Sequence, residues 1–225
     1  FWLLIFFFSL TGGTELYISN RDFSGLRHYQ TLFDCQDYFN PNSCNEDYFW
    51  RGIYNTITFV FFQVILMIFF SLLTGVILNK NIIGRGFFRS VFFFPVLLSP
   101  VVVGLIWKWI LLKNGILNAI IESNGGTAIS FLTAPGLAMS SSIFVSIWAH
   151  MGFYTLIILA GLQAIPPNLY EAAEMDGTSK ERTFWRITLP LLLPNLVVVF
   201  VLASIKGVQT FDEIYVLTGG GPGTA

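Results

Sequence analysis

Between Gly52 and Asn79 the chain carries no charged residue, and the run "TITFVFFQVILMIFFSLLTGVIL" inside it is almost wholly apolar. No other feature restricts the fold as much. The hydrocarbon core of a bilayer takes about 20 residues of helix to cross. No water is present there to satisfy backbone N–H and C=O groups, so a spanning segment must be a helix or part of a closed barrel. This run is too long and too uniformly apolar for a strand. Helices are expected here and in three further runs, Ser90 to Leu112, Ser142 to Ile165 and Leu189 to Phe211. Pro95 and Pro100 interrupt the second run and are expected to kink it.

Composition points the same way. Of 225 residues 54% are hydrophobic and only 11% charged, where soluble domains carry about a quarter. The 24 Phe and 6 Trp suit lipid-facing and interfacial positions. A net charge of −1 without a basic patch gives no footing for nucleic acid. The chain therefore reads as an all-α, polytopic membrane protein in contact with lipid. Residues 1–10, "FWLLIFFFSL", are too few for a span and are expected to be the outer half of a truncated transmembrane helix. Residues 11–54 follow as an extracytoplasmic loop, and 55–225 as the membrane domain.

Sidedness rests on Lys and Arg in short loops. Segment 79–90 carries Lys80, Arg85 and Arg89, and segment 166–188 carries Lys180, Arg182 and Arg186. Arg21, Arg27 and Arg51 are spread more thinly over 11–54. The first two segments are thus expected in the cytoplasm, with 11–54, 113–141 and 212–225 outside. Cys35 and Cys44, in "DCQDYFNPNSC", fall in the outer loop. Outside the cytoplasm such a pair forms a candidate disulfide. Two free thiols remain the alternative, because spacing does not fix geometry. Two Cys and the distant His28 and His150 do not make a metal-site pattern.

The densest mixed charge lies in 171–190, "EAAEMDGTSKERTFWRITLP". Pro166, Pro167, Asn168 and Glu171 read as a helix start with a capping box, and Gly177 as the residue that ends it in the left-handed conformation. Thr178 and Glu181 read as a second capping box, and Pro190 as the end of the second helix. Two short helices bent at Gly177 are expected. Ala172 and Ala173 would permit close approach, Leu169, Tyr170 and Met175 would supply apolar contact, and Glu171, Glu174, Lys180 and Arg182 would supply charge. On the residues alone, a solvated amphipathic connector explains the segment at least as well as a plug for a partner.

The register E-A-A, three residues, G, nine residues, I-x-L-P places Glu171, Ala172, Ala173, Gly177, Ile187, Leu189 and Pro190 in the EAA signature. The segment thereby resembles permease subunits of binding-protein-dependent ABC importers. From about residue 23 onward, "NTITF", "GRGFFRSVFFFPVLLSPVVVGLIWKWI", "LAGLQAIPPNLYEAAEMDG" and "FDEIYVLTGGGP" are similar to the carbohydrate-uptake branch, of maltose and glycerol-phosphate type. The resemblance implies a type I importer helical bundle with about five spans present, the first truncated and the last absent, in the cytoplasmic membrane of a prokaryote. It implies coupling helices at 168–189, with Leu169, Glu171, Ala172, Ala173, Met175 and Gly177 docking on two cytoplasmic ATPase subunits. A second permease subunit, usually a different chain, and an extracytoplasmic sugar-binding protein complete the assembly. ATP would be used by the partner subunits and no cofactor bound by this chain, which has no G-x-x-x-x-G-K-[ST] motif.

Near the outer end of the fourth run, Lys206, Gln209, Phe211, Asp212 and Tyr215 are candidates for a sugar pathway. The bland alternatives are a snorkelling Lys206 and an Asp212 in a loop. Lys108, between Trp107 and Trp109, reads as an interfacial anchor. Gln63 either bonds a neighbouring helix or lines the pathway, and His150 reads as a satisfied interfacial histidine rather than a ligand. A secondary transporter or channel not driven by ATP would call for acidic residues deep in the spans. None of the four runs has one in its middle, and no catalytic constellation such as H-E-x-x-H is present.

Overall fold

The computed structural model describes residues 26–35, 38, 44, 46–80 and 83–221. The truncated helix expected at 1–10 lies outside them. The chain divides into two compact units, one up to Ile57 and one from Thr58. In the first, α1 (Arg27–Phe33) is followed by a disulfide between Cys35 and Cys44. Trp50 donates its indole N–H to the Leu32 carbonyl at 2.8 Å and packs edge-on against Phe33 and Tyr38.

The elements from Asp47 onward are α2 (Asp47–Asn79), which begins in the first unit, α3 (Arg85–Phe93), a 3-10 turn (Phe94–Leu97), α4 (Pro100–Leu111), α5 (Ile116–Ser123), α6 (Pro135–Ala164), α7 (Pro167–Met175), α8 (Lys180–Thr183), a π turn (Phe184–Thr188), α9 (Leu189–Gln209) and α10 (Asp212–Thr218). Among the described residues four stretches are long and apolar enough to cross a membrane: Asp47–Asn79, Pro100–Ser123, Gly136–Ala164 and Lys180–Gln209. α6 is the central one. Of its most apolar window 56% is buried, against 22–28% for the other three. Ile143, Ile147, Tyr154, Ile158 and Leu162 of α6 pack with Phe59, Val64 and Met67 of α2 and with Leu192, Val199 and Ala203 of α9. A second cluster joins Val145 and Ala149 of α6 to Val103 and Leu111 of α4 and Leu217 of α10. A helix apolar on every side must be surrounded by others. Its polar side chains are absorbed locally: the hydroxyls of Ser142 and Thr155 donate to carbonyls four residues back.

The helices differ from expectation at four places, each with a local cause. α2 begins at Asp47, inside the segment read as loop, where an Asp47–Arg51 ion pair spans its first turn. The second run is broken rather than kinked: Leu98 and Ser99 are extended (ψ 143° and 139°) between the 3-10 turn and α4. A residue before proline avoids the helical region, so Pro100 forces the break and then opens α4 at its first position. α6 starts at Pro135, seven positions before Ser142. Finally, Pro190 does not end a helix. α8, the π turn and α9 run on as one 30-residue helix, and the Leu189 N–H bonds the Phe184 carbonyl five residues back. The wide turn gives room to a proline ring that would otherwise press on the carbonyl of Arg186.

Candidate functional site

Two places combine shape with chemistry: the bent segment after α6, and a cavity between α6 and α9.

In the bent segment, Pro166 is the N-cap of α7, extended at ψ 131°, and Pro167 is the first helical residue. Proline at that position is preset for a helix and its missing N–H is not needed. Asn168 is therefore already inside the helix, and the expected Asn168 cap does not form. The far end is as expected: Gly177 has φ +66°. Its N–H bonds the Glu174 carbonyl at 3.0 Å, and the Thr178 N–H bonds the Ala173 carbonyl at 2.9 Å. This is a Schellman ending, with both carbonyls satisfied by backbone donors. Thr178 is consumed by it, so the cap of α8 moves one residue on. The Ser179 hydroxyl accepts from the Arg182 N–H at 3.4 Å, in place of the expected Thr178–Glu181 box. The segment is tied back to the continuous helix by Tyr170 and Thr188, whose hydroxyls lie 3.1 Å apart.

The side chains sort cleanly. Leu169, Glu171, Ala172, Glu174 and Met175 are exposed, Met175 at 88%. Ala173 is not: at 6% exposed it faces the subunit's own interior. Its small size serves packing inside the chain, and it is unavailable to a partner.

The cavity has about 340 Å³ of volume, in the range of small-molecule sites. Val96 of the 3-10 turn forms one wall, His150, Phe153 and Tyr154 of α6 a second, and Leu202, Ile205, Lys206 and Gln209 of α9 a third. Irregular backbone at membrane depth is tolerated where it lines a cavity, which fits Val96 in the broken segment. Of the residues picked from sequence, Gln209 and Lys206 line it. Phe211 and Asp212 do not. Phe211 is stacked on Tyr215 with ring centroids 5.3 Å apart, and Asp212 opens α10 with its side chain exposed. Gln63 is fully buried and donates to the Ser146 hydroxyl at 3.2 Å, so it joins α2 to α6.

The sequence reading missed Glu213. It is buried, and among the described residues neither carboxylate oxygen has a hydrogen-bond partner. Its nearest counterpart is His150, with Nε2 3.9 Å from Oε2. The His150 Nδ1–H donates to the Ser146 carbonyl at 2.9 Å, which leaves Nε2 facing the acid. The two attract each other only with a proton on one of the facing groups. The available signal was the spacing Glu213–Leu217, four positions that share one buried helix face.

A family model for the inner membrane component of binding-protein-dependent transport systems matches residues 67–224, from α2 through both sites. The chain belongs to this family. It is a multi-pass inner-membrane permease subunit. It is 36% identical over 93% of its length to the trehalose/maltose transport system permease protein MalF of Thermococcus litoralis, and covers 68% of that protein. It is 36% identical to the multiple sugar-binding transport system permease protein MsmF of Streptococcus mutans, over 96% of this chain and 70% of that one. With the sulfoquinovosyl glycerol transport system permease protein SmoG of Agrobacterium fabrum it shares 34% identity, over 98% and 67% respectively. Among solved structures, a bacterial ABC transporter involved in import of the acidic polysaccharide alginate superposes with a TM-score of 0.75 at 25% identity, over 91% of the permease and 67% of that chain. With membership established, the buried Glu213 does not revive a secondary transporter: it lies in α10, outside all four spanning stretches.

Proposed function

We propose that the chain is the membrane-spanning permease subunit of an ATP-driven importer for a saccharide or related polyol or glycoside. α7 and α8 dock on the ATPase subunits, and a second permease subunit faces this one across the pathway. The observation that carries the docking role is the form of α7. A short helix, closed at its end by a Schellman motif, holds Leu169, Ala172 and Met175 on one exposed apolar face immediately after the most buried of the four spanning stretches described. An exposed apolar face that is this rigidly presented suits a partner's groove, at low entropic cost. Relatives named for trehalose/maltose, multiple sugars and sulfoquinovosyl glycerol support the carbohydrate class. The cavity supports it too: Lys206 and Gln209 can hydrogen-bond hydroxyls beside the aromatic faces of Phe153 and Tyr154. ATP is bound by the partner subunits, and an extracytoplasmic binding protein delivers the sugar.

Gly177→Pro tests the docking role. Proline holds φ near −65° and cannot adopt the +66° of Gly177. In the complete importer, the variant is expected to reach the membrane at wild-type level but to lose ATP-driven uptake of the radiolabelled sugar. Normal uptake would sink the assignment of α7 as the docking helix.

A further inference from the structure

Gln163 stands in the last turn of α6, three residues before the Pro166 cap of α7. With its amide oxygen turned toward α3, it accepts from Nη2 of Arg85 and from Nη2 of Arg89, each at 3.0 Å. Nε of both arginines is buried without a hydrogen-bond partner, and among the described residues neither has a carboxylate partner. Two like charges thus converge on a single neutral oxygen. Without it they would repel, and the two Nη2 groups would lose the acceptor that holds them in place.

α3 is fastened to α6 at its other end as well. A Cβ at Gly152 would overlap the Phe92 carbonyl oxygen and crowd the Phe93 Cα, so the two backbones touch there. Between Gly152 and Gln163, α6 rises about 16 Å. α3 therefore lies along this stretch as a strut. Immediately beyond it the 3-10 turn presents Val96 to the cavity, opposite His150 and Phe153.

We infer that Gln163 is a positioning residue: through Arg85 and Arg89 it makes α3 move with the foot of α6, so that displacement of α7 reaches the Val96 wall of the cavity. This rests on the docking of α7 proposed above. The amide suits the task because it supplies one strong acceptor without a charge. It grips both guanidinium groups with one oxygen.

The test uses the complete importer in proteoliposomes, with ATP hydrolysis and sugar uptake measured together. Gln163→Leu removes the acceptor and is expected to lower sugar imported per ATP about tenfold, the scale of a lost charge-assisted hydrogen bond. Gln163→Glu keeps an acceptor oxygen and is expected to stay within about twofold of wild type. The combined Arg85→Gln and Arg89→Gln variant, with Gln163 intact, is expected to match the Leu variant and serves if that one fails to assemble. Wild-type stoichiometry in the Leu or double-Gln variant overturns the inference. So does equal loss with Glu and Leu, which would reduce Gln163 to a space-filler. If Gly177→Pro uncouples uptake while Gln163→Leu does not, the docking stands and the relay alone fails. If neither changes uptake, the docking itself was wrong.

Discussion

Glu213 carries a carboxyl group into a site only 3% exposed, with His150 as the single titratable side chain at ion-pairing distance among the described residues. A buried pair of this kind contributes little net stability against apolar residues of similar size, but removing one partner strands the other. His150→Leu is therefore expected to destabilise the subunit by about 1–3 kcal/mol, the cost of a stranded buried polar group. Adding Glu213→Leu should recover most of that loss. Thermal unfolding of the purified subunit in detergent, followed by tryptophan fluorescence, measures both. A double variant no more stable than His150→Leu alone would show that the two residues are not coupled. Sequence reasoning passed over Glu213 because 212–225 was read only as an outer segment beyond the fourth apolar run. Its burial is decided by packing against α4, where a Cβ at Gly104 would touch the Glu213 carbonyl and the Val216 side chain at 3.0 Å. Gly177 is the opposite case. Its left-handed φ follows from local chain chemistry alone, and it was legible.

At the scale of elements, α2, α6 and α9 were legible because uniform apolarity over 20 residues admits one structure in a bilayer. The breaks were half legible. Pro95 and Pro100 marked the right place, but whether proline kinks or severs a helix depends on what the freed backbone packs against. Pro190 was misread for a related reason: its stop signal assumes α geometry four residues back, and a π turn removes that constraint. Pro190→Ala restores the N–H and removes the ring, so the 184–188 turn is expected to relax to α register. Everything N-terminal to it would rotate by about 100°. That rotation carries Thr188 away from Tyr170, now 3.1 Å apart. A nitroxide in place of the 60%-exposed Trp185 should report it as a change in accessibility to polar relaxation agents. Unchanged accessibility would mean that packing, not Pro190, maintains the π turn.

On the scale of the whole molecule, the subunit leaves much of its apolar surface uncovered. Along α9 alone Leu193, Val197, Val198, Phe200, Val201 and Val208 are exposed. Lipid explains part of that surface. The cavity opens on the same helix, with Lys206 and Gln209 one turn apart on its wall. Lys206 has no ion-pair partner among the described residues, so its ammonium group is free to meet a substrate hydroxyl. If transport passes this cavity, Lys206→Ala should raise the sugar concentration for half-maximal uptake about tenfold, the scale of one lost charge-assisted hydrogen bond, and Gln209→Ala about fivefold, the scale of a neutral one. ATP hydrolysis without substrate should be unchanged. Phe211→Ala and Asp212→Asn lie outside the cavity and should leave the half-maximal concentration within about twofold, less than one such bond. The opposite ranking would move the pathway to the α10 side, where Phe211 and Tyr215 stack. Equal insensitivity of all four would place substrate contact away from both Lys206–Gln209 and Phe211–Asp212.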